Sequence, residues 1–523
     1  MGRARINCMD KPAETVDAST AIDPQILLRV NQEQLQTIGQ LQRELEQLRH
    51  QYQLLVNRLY GRRSEKQTGP GLFDDWLPEV PTSTTTPEPE PVVKLNPPRN
   101  ATPHGRQKLA GNLPRQRIDH DLSEEQKRCP CCQTPRVRIG EEVSEQLDYR
   151  PSSLFIVEHH RFKYVCRSCE QPQHETAPMP AQPIDKGIAG PGLLAHVVTS
   201  KYADHLPLYR LEGILSRHGV DLSRSTMGGW MAATADLLTS IYNRMHQRVL
   251  MSRVIHTDDT TVPVQDDNRS KTKQGRLWVY VGDANHPLAF FDYTPTHSRA
   301  GPEQILRGFQ GYLQADALPG YDQLYKDRKI REVGCWAHAR RKFVEAKASA
   351  AGQVHVALGF IAELYHIETQ LKEKTEAERM SARQAYALPK LREFRTWLEA
   401  QSTLALPKSP LGIAIAYSLT NMDALMRYTE AGYLNIDNNL SERTLRLIAI
   451  GRKNWIFAGS DEGAKTAAVL FSMTATCKHL KLDPFAYLRD LFTELPKINH
   501  PTEEQLDFWL PDAWAKRLPA KAE

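Results

Sequence analysis

Two Cys-x-x-Cys turns constrain the fold of this chain more than any other feature of its sequence. Cys129 and Cys132 form the first turn, and Cys166 and Cys169 form the second. Each turn lets two thiolates reach one ion, and two turns complete a closed tetrahedral site that suits structural Zn²⁺. The alternative is a set of buried or redox-active thiols, and Cys131 could replace a neighbouring ligand.

The segment between the two turns has the pattern of a strand. Residues 155–165 alternate apolar and polar side chains. His159 and His160 lie in this segment and are weaker candidate ligands than the cysteines. The sequence therefore predicts a small zinc-binding domain over residues 119–182.

Length and composition exclude several protein classes. The chain has 523 residues with 67 Lys and Arg against 62 Asp and Glu, and 40% of its residues are hydrophobic. These values predict about three or four globular domains rather than a disordered chain. No apolar run is long enough for a membrane helix, and the N-terminal residues do not resemble a signal peptide. We therefore expect a cytoplasmic protein with reduced thiols and no membrane partner.

The N-terminal region predicts a helix followed by an extended linker. Between Ile38 and Leu59, apolar residues recur at spacings of three and four, which is a heptad pattern. Over residues 25–66 we expect a coiled coil that pairs subunits, the alternative being one amphipathic helix packed on its own domain. Residues 67–118 are rich in proline and, towards their end, in basic residues, and so predict a linker or a phosphate-tracking arm.

Residues 188–245 predict a pair of helices joined by a short turn. The first helix runs from Leu206 to His218 and is followed by a glycine, and the second starts near Arg224 and runs to Leu238. A DNA-binding helix-turn-helix has this form, in which Arg224, Ser225 and Thr226 would contact DNA. The alternative is a helix pair that binds nothing, because such pairs are common.

The C-terminal half alternates between strand and helix patterns. Strands are predicted over 253–264, 275–282, 288–294 and 311–317, with a possible fifth over 333–336. Residues 343–436 have helical spacing, and further helices are predicted over 440–450, ending at Gly451, and after Ser460. These patterns predict a multidomain α+β protein whose mixed α/β core, residues 250–342 and 437–495, is interrupted by a helical insertion and followed by a tail over 496–523.

Three acidic residues stand out within this core. Asp258 lies in the first strand, Asp316 ends the fourth, and Glu442 is near the start of a late helix. Carboxylates on hydrophobic strands are costly unless they are paired or bind a cation, and hard oxygen ligands suit Mg²⁺. Two such ions can support phosphoryl transfer, in which nearby basic residues would hold DNA phosphates, namely Arg446, Arg452 and Lys453.

Several long motifs resemble the large catalytic subunit of the IS66 insertion-sequence transposases. They are the segments 59–66 (LYGRRSEK), 201–210 (KYADHLPLYR), 334–343 (GCWAHARRKF) and 438–455, besides the two Cys-x-x-Cys turns. The resemblance implies a ribonuclease-H-like catalytic core with an Asp-Asp-Glu triad at Asp258, Asp316 and Glu442. The family usually has Asp-Glu-Thr where this chain has Asp258-Asp259-Thr260, and Asp258 is the preferred ligand.

The resemblance also implies an activity, cofactors and partners. It predicts a DNA transposase that cleaves element ends and joins them to target DNA with two Mg²⁺ or Mn²⁺ ions. Terminal inverted repeats, target DNA, a second copy of the chain and small accessory proteins would be its partners. A zinc-containing DNA-binding regulator, an inactive transposase copy and a structural assembly protein are the alternatives.

Overall fold

The computed structural model describes residues 113–518 except 151–152, 168–173, 267–270 and 318, and also Gln34. The predicted coiled coil and most of the predicted linker lie outside the described residues, as does Cys169. Among the described residues, Gln34, 342–356 and 400–416 belong to one compact unit, and the others form a second unit. The features described below belong to the second unit unless stated otherwise.

A four-stranded sheet carries the predicted zinc-binding domain. Its strands are β1 (Arg115–His120), β2 (Val137–Arg150), β3 (Ser153–Val165) and β4 (His174–Thr176). β3 lies between β1, to which it is parallel, and β2, to which it is antiparallel, and β4 pairs with the end of β3. The strand predicted between the Cys-x-x-Cys turns is thus confirmed as β3.

Three helices follow the sheet, because one further helix precedes the pair that the sequence predicts. They are α1 (Pro191–Tyr202), α2 (Leu208–Arg217) and α3 (Arg224–Leu250), and Ser223 caps α3 by accepting a hydrogen bond from the Thr226 amide. The prediction that the last helix ends at Leu238 is wrong. Its apolar period continues through residues that are buried in the core, Ile241, Met245 and Val249, and this packing extends the helix to Leu250.

The central sheet has five strands in the order β7-β6-β5-β8-β9. They are β5 (Val254–Val264), β6 (Lys273–Val281), β7 (Ala289–Thr294), β8 (Gly311–Gln314) and β9 (Ile330–Val333). β5, β6 and β7 are antiparallel, whereas β5, β8 and β9 are parallel. The short helix α4 (Ala300–Ile305) and a 3₁₀ segment (Pro319–Tyr325) flank β8. The predicted mixed sheet is confirmed.

The predicted fifth strand is displaced along the chain. The strand ends at Val333, and Trp336 begins α5 (Trp336–Glu345), so the prediction of a strand over 333–336 is wrong. Trp336 is fully buried and its indole N–H donates to the Leu425 carbonyl oxygen at 2.8 Å. A tertiary contact therefore accompanies a helix start in a segment whose apolar residues alone would predict a strand.

The predicted helical insertion consists of helices with a short π turn. After α5 come α6 (Ala351–Gln370), α7 (Glu376–Ala382), the π turn (Arg383–Ala387), α8 (Leu388–Ser402), α9 (Pro410–Thr420) and α10 (Met422–Met426), and then a 3₁₀ turn (Arg427–Glu430). Arg383 is fully buried and forms a bidentate ion pair with Glu368 at 2.8 and 2.6 Å. It also donates to carbonyl oxygens of the segment that leads to the next helix, those of Tyr428, Ala431 and Leu434.

The helix that carries Glu442 is longer than predicted. α11 spans Asn439–Trp455, so the prediction that it ends at Gly451 is wrong. Gly451 lies inside the helix, where a Cβ atom would come within 2.6 Å of the Trp455 indole nitrogen. Here glycine provides space for a neighbouring ring rather than a helix end. The helix instead ends at Trp455, and the next residue, Ile456, has φ +67°.

The last long helix packs on the edge of the central sheet. α12 (Asp461–His479) begins after Ser460, as predicted. Its buried hydroxyls on Ser472 and Thr476 accept hydrogen bonds from the backbone N–H groups of Phe291 and Ala289 in β7. These two amides of the outer strand β7 thus donate to side-chain hydroxyls rather than to a further strand.

The predicted C-terminal tail is helical in its described part. After α13 (Pro484–Glu494) and a 3₁₀ turn (Leu495–Lys497), the chain forms α14 (Glu503–Trp509) and α15 (Pro511–Arg517). Leu510 and Trp514 are buried in the main core, and Arg244 of α3 forms a bidentate ion pair with Asp507. No helix of the described residues is both long and apolar enough to cross a membrane.

Candidate active site and thiol cluster

The first two predicted acids belong to neighbouring parallel strands, Asp258 within β5 and Asp316 two residues beyond the end of β8. β5 and β8 pair in a register that sets His256 beside Gln314. Asp258 and Asp316 each follow two residues later, so they occupy equivalent positions on the same face. The parallel register therefore brings together two residues that are far apart in the sequence.

A buried asparagine attaches the start of α11 to β5. Asn438 immediately precedes the helix and is fully buried. Its side-chain amide donates to the Thr257 carbonyl oxygen at 2.8 Å, and its backbone N–H donates to Cys335 Sγ at 3.2 Å. The Asn438 side chain therefore binds the strand rather than the helix amides, whereas the Asp437 carboxylate accepts a hydrogen bond from the Asn439 N–H. This attachment brings Glu442, in the first turn of the helix, beside the strand that carries Asp258.

A neutral histidine extends this attachment. Burial lowers the pKa of His256 to about 4, so its imidazole is neutral at physiological pH. His256 Nδ1 lies 3.3 Å from Asn438 Oδ1, and His256 Nε2 lies 3.3 Å from Asn435 Nδ2. Gln314 donates to the Asn435 carbonyl oxygen at 2.7 Å. Hydrogen bonds thus join both acid-bearing strands to the segment that precedes α11.

The three predicted acids influence one another electrostatically. Burial, followed by the charge of Asp316, raises the pKa of Asp258 to about 8, and the charges of Asp259 and Glu442 add to the increase. Burial also raises the pKa of Asp316, to which the charge of Asp259 adds, and the pKa of Glu442. Arg341 opposes the increase at Glu442, whereas Asp437 and Asp316 add to it. Close carboxylates with raised pKa values are the arrangement expected where a bound cation would offset their repulsion.

Asp259, the alternative ligand, has a different environment from Asp258. Its carboxylate forms an ion pair with Arg276 of β6 at 2.7 Å and lies 3.4 Å from His297 Nε2. Its backbone N–H donates to Asp258 Oδ1 at 2.7 Å. An arginine therefore already neutralises Asp259.

Two side chains that the sequence interpretation left without a role lie next to Glu442. A ligand atom from each of Cys335, His338 and Glu442 lies within 4.8 Å of the others. His338 Nε2 is 3.7 Å from Glu442 Oε1, and Arg341 is 3.6 Å from Glu442 Oε2. The sequence alone gives Cys335 no partner and no role. The signal that could have identified it is the Cys-x-x-His spacing at a helix start, which sets two ligand types on one face.

Three of the four predicted zinc ligands form one cluster. Sulfur atoms of Cys129, Cys132 and Cys166 lie within 4.8 Å of one another, and the last two are 3.6 Å apart. Zn–S bonds of about 2.3 Å in a tetrahedron separate the sulfurs by about 3.8 Å, so the cluster fits Zn²⁺. The exposed Cys131 is not part of it.

The two candidate histidines take other partners. His159 lies 2.8 Å from His120 and 3.0 Å from Gln146, and His160 lies 2.9 Å from Glu141. Neither belongs to the thiol cluster found among the described residues.

The predicted DNA-contacting residues differ in their exposure. Arg224, Ser225 and Thr226 are exposed at the start of α3, and Arg446 and Lys453 are exposed on α11. Arg452 instead donates to the Thr260 hydroxyl at 2.9 Å and to the Thr261 carbonyl oxygen at 2.8 Å. Arg452 therefore joins α11 to β5 by hydrogen bonds.

Comparison with protein-family models shows to which family the chain belongs. Residues 186–466, more than half of the chain, match the model described as "Transposase IS66 family". The chain belongs to the IS66 transposase family. Residues 126–170 match the "zinc-finger binding domain of transposase IS66", and residues 47–118 match a leucine-zipper model described as "Transposase C of IS166 homeodomain". The recognition made from the motifs is thereby confirmed, and the domain with the thiol cluster is a zinc-finger domain of the IS66 family.

The chain is also similar over most of its length to proteins of Sinorhizobium fredii. The uncharacterized protein y4jD is 32% identical over 513 residues, which cover 93% of this chain and 98% of y4jD. The uncharacterized proteins y4hP and y4qI are 31% and 33% identical and cover 74% and 75% of this chain, with 73% and 75% of their own lengths.

Proposed function

We propose that the chain is a DNA transposase that cleaves the ends of an insertion sequence and joins them to target DNA. Asp258, Asp316 and Glu442 would form its catalytic centre. The observation that carries the proposal is the parallel register of β5 and β8, which brings Asp258 and Asp316 to equivalent positions, together with the Asn438 hydrogen bond that holds the start of the Glu442 helix against β5. Membership of the IS66 transposase family supports the substrate class.

The residues of this centre fit hard divalent cations. Their ligand atoms are carboxylate oxygens, which Mg²⁺ and Mn²⁺ prefer, and Glu442 Oε1 is buried without a hydrogen bond among the described residues. A bound pair of such ions would supply activation of the attacking oxygen and stabilisation of the leaving oxygen. The protein's own contribution is to hold the three carboxylates in place through the Asn438 and His256 hydrogen bonds.

Asp258 rather than Asp259 is the proposed ligand. Neighbouring residues of a strand face opposite sides of the sheet, and Asp259 is committed to Arg276. Asp258 shares its face with Asp316, and no ion pair to Asp258 is found among the described residues. His338 and Arg341 are proposed to position Glu442.

A ribonuclease-H-like catalytic core is part of the proposal. Support comes from the sheet, in which three antiparallel strands are followed by two parallel ones. The helical insertion between β9 and α11 supports the same assignment, because it separates Asp316 from Glu442 in the sequence without separating them in space.

Recognition of element ends is proposed for the zinc-finger domain and the helix pair. The exposed side chains at the start of α3 would contact DNA, and Arg446 and Lys453 would contact phosphates near the acids. Zn²⁺ would be held by Cys129, Cys132 and Cys166, with Cys169 as the fourth ligand. Pairing of subunits through the N-terminal heptads, and participation of accessory proteins, belong to the same proposal.

A cleavage and strand-transfer assay on labelled element ends tests the proposed activity. With Mg²⁺, the wild-type chain should cleave and join DNA, whereas Asp258→Asn, Asp316→Asn and Glu442→Gln should reduce both products by at least about 10³-fold. Asp259→Asn should retain measurable cleavage if the protein remains folded. Activity that survives all three triad substitutions would refute the proposed centre, and DNA binding without any cleavage would favour a regulator or an inactive copy.

A further inference from the structure

Side chains from two of the long motifs meet at one cavity, whose walls do not include the three proposed catalytic acids. Lys201, Tyr202 and Leu208 come from the first motif, and Trp455 comes from the end of α11. The cavity has a volume of about 420 Å³, which is within the range of roughly 300–1,000 Å³ that small organic ligands occupy. Its walls are mainly apolar and are completed by residues of α3, β5, β6 and α12.

A largely buried lysine lies among the aromatic side chains of this cavity. Lys201 Nζ is 5.4 Å from the ring centre of Tyr202 and 6.0 Å from that of Trp455. Among the described residues no carboxylate forms an ion pair with it. Burial lowers the pKa of this amine to about 8, so it still carries a proton at neutral pH. The acids near the mouth of the cavity are already paired, Asp461 with Lys273 and Glu462 with Lys465.

Two consecutive apolar side chains next to the cavity are exposed to solvent, namely Phe457, which lines it, and the preceding Ile456. Ile456 is 65% exposed and Phe457 is 43% exposed. Ile456 has φ +67°, a conformation that β-branched residues rarely adopt. The adjacent Ala458 is anchored to β5, since its N–H donates to the Pro263 carbonyl oxygen and its own carbonyl oxygen accepts from Gln265. The exposed pair is therefore held in place by the backbone on either side.

We infer that this cavity binds a single unpaired nucleobase of DNA, with Ile456 and Phe457 entering the base stack beside it. A base has flat faces for Trp455 and Phe457, and it has ring-nitrogen and carbonyl acceptors for the Lys201 ammonium group. Apolar side chains that enter a base step separate the neighbouring bases. This inference rests on the proposed function, because it takes DNA as the substrate.

The position of the cavity along α11 agrees with this occupant. Glu442 lies in the first turn of that helix and Trp455 is its last residue. At about 1.5 Å per residue the two are about 20 Å apart, the length of about six base-pair steps. Arg446 and Lys453 are exposed along this length. About six base-pair steps of DNA would therefore separate the acids from the cavity, on a path that turns around the helix, because Trp455 lies about 140° from Glu442 about its axis.

Binding of defective DNA tests the inference. The full chain carrying Asp258→Asn is titrated, without added Mg²⁺, with a fluorescent duplex that holds one unpaired 2-aminopurine and with the fully paired duplex. We expect about tenfold tighter binding of the first duplex, with a change in 2-aminopurine fluorescence. Adding Lys201→Met or Trp455→Leu should reduce the preference to less than about twofold, with little change for the paired duplex. The matched control Lys453→Met should weaken binding of both duplexes equally.

The other possible results separate a failure of this inference from a failure of the proposed function. Equal affinity of the starting protein for the two duplexes would overturn the inference and leave the proposed transposase intact. Absence of binding to either duplex would overturn both. If the cavity variants fail to fold, photo-crosslinking from 5-iodouracil at the unpaired position still decides, because adducts on Trp455 or Phe457 support the inference and adducts elsewhere contradict it. A change of oligomeric state in Phe457→Ser with an unchanged preference for the unpaired base would identify a protein interface instead.

Discussion

Asn438 donates its side-chain amide to the carbonyl oxygen of Thr257 at 2.8 Å, and both residues are fully buried. This hydrogen bond joins the residue before α11 to the residue before Asp258. A shift of either element would therefore move Glu442 relative to Asp258. The geometry of the candidate centre depends on a side chain that is not itself one of the three acids.

Asn438→Ala tests this dependence. The substitution leaves the Thr257 carbonyl oxygen buried without its donor, which we expect to lower the free energy of unfolding by about 2–3 kcal/mol. DNA cleavage should fall more than the stability loss explains, because Glu442 is no longer held beside β5. Urea denaturation and the cleavage assay measure the two effects. Asn454→Ala on the same helix is the matched control and should change neither quantity appreciably.

Asp258 should make the stability of the metal-free protein depend on pH. Its pKa is raised to about 8 in the folded protein, above the value of 3.8 for an unperturbed carboxyl group. The folded state therefore binds this proton more tightly than the unfolded state, and stability falls as the pH rises between these values. Without Mg²⁺, Asp258→Asn should be more stable than wild type by about 2–4 kcal/mol at pH 8, and equally stable near pH 4. Urea denaturation across this range measures the difference.

Added Mg²⁺ should stabilise the wild-type protein and not the Asp258→Asn variant. A ligand that binds the folded state alone raises its stability by mass action. Asp259→Asn should retain the Mg²⁺ effect while losing stability, since Arg276 is then left without its carboxylate. If Asp259→Asn abolishes the Mg²⁺ effect and Asp258→Asn does not, the assignment of the ligand is reversed.

Cys166→Ser should remove bound zinc. Cys166 is buried within the cluster of three sulfurs, whereas Cys131 is exposed and outside it. We expect zinc content, measured by mass spectrometry, to fall from about one ion per chain to less than about 0.1 in Cys166→Ser. Residues 119–182 should then become sensitive to limited proteolysis. Cys131→Ser is the control, and a loss of zinc there would show that Cys131 replaces one of the predicted ligands.

Arg383→Met should destabilise the segment that leads to α11. The substitution removes the ion pair with Glu368 and three hydrogen bonds to backbone carbonyl oxygens. Loss of one partner of a buried ion pair costs about 3–5 kcal/mol, and here it would leave Glu368 with only the more distant Arg379, at 3.9 Å, among the described residues. Arg395→Met is the control: its ion pair with Glu399 is exposed and should contribute less than about 1 kcal/mol. Thermal or urea unfolding compares the two.

Local patterns in the sequence determined most of the elements and the identity of the candidate residues. Alternation predicted the strands β5 to β8, helical spacing predicted the starts of α3 and α12, and the Cys-x-x-Cys spacing predicted the thiol cluster. These features succeed because each depends mainly on residues that are close in the chain. The positions of the three acids on predicted strands and a predicted helix singled them out, and motif resemblance added their role as a triad.

Only the tertiary structure decided which side chains meet. The parallel register of β5 and β8 brought Asp258 and Asp316 together, and the Asn438 hydrogen bonds brought Glu442 beside them. The ion pair with Arg276 distinguished Asp259 from Asp258. Gly451 lies inside α11 because its missing side chain leaves room for the Trp455 ring. Only the fold places Cys335 beside Glu442 and Lys201 beside Trp455. All of these depend on contacts between distant parts of the chain, and periodicity along the sequence carries no information about them.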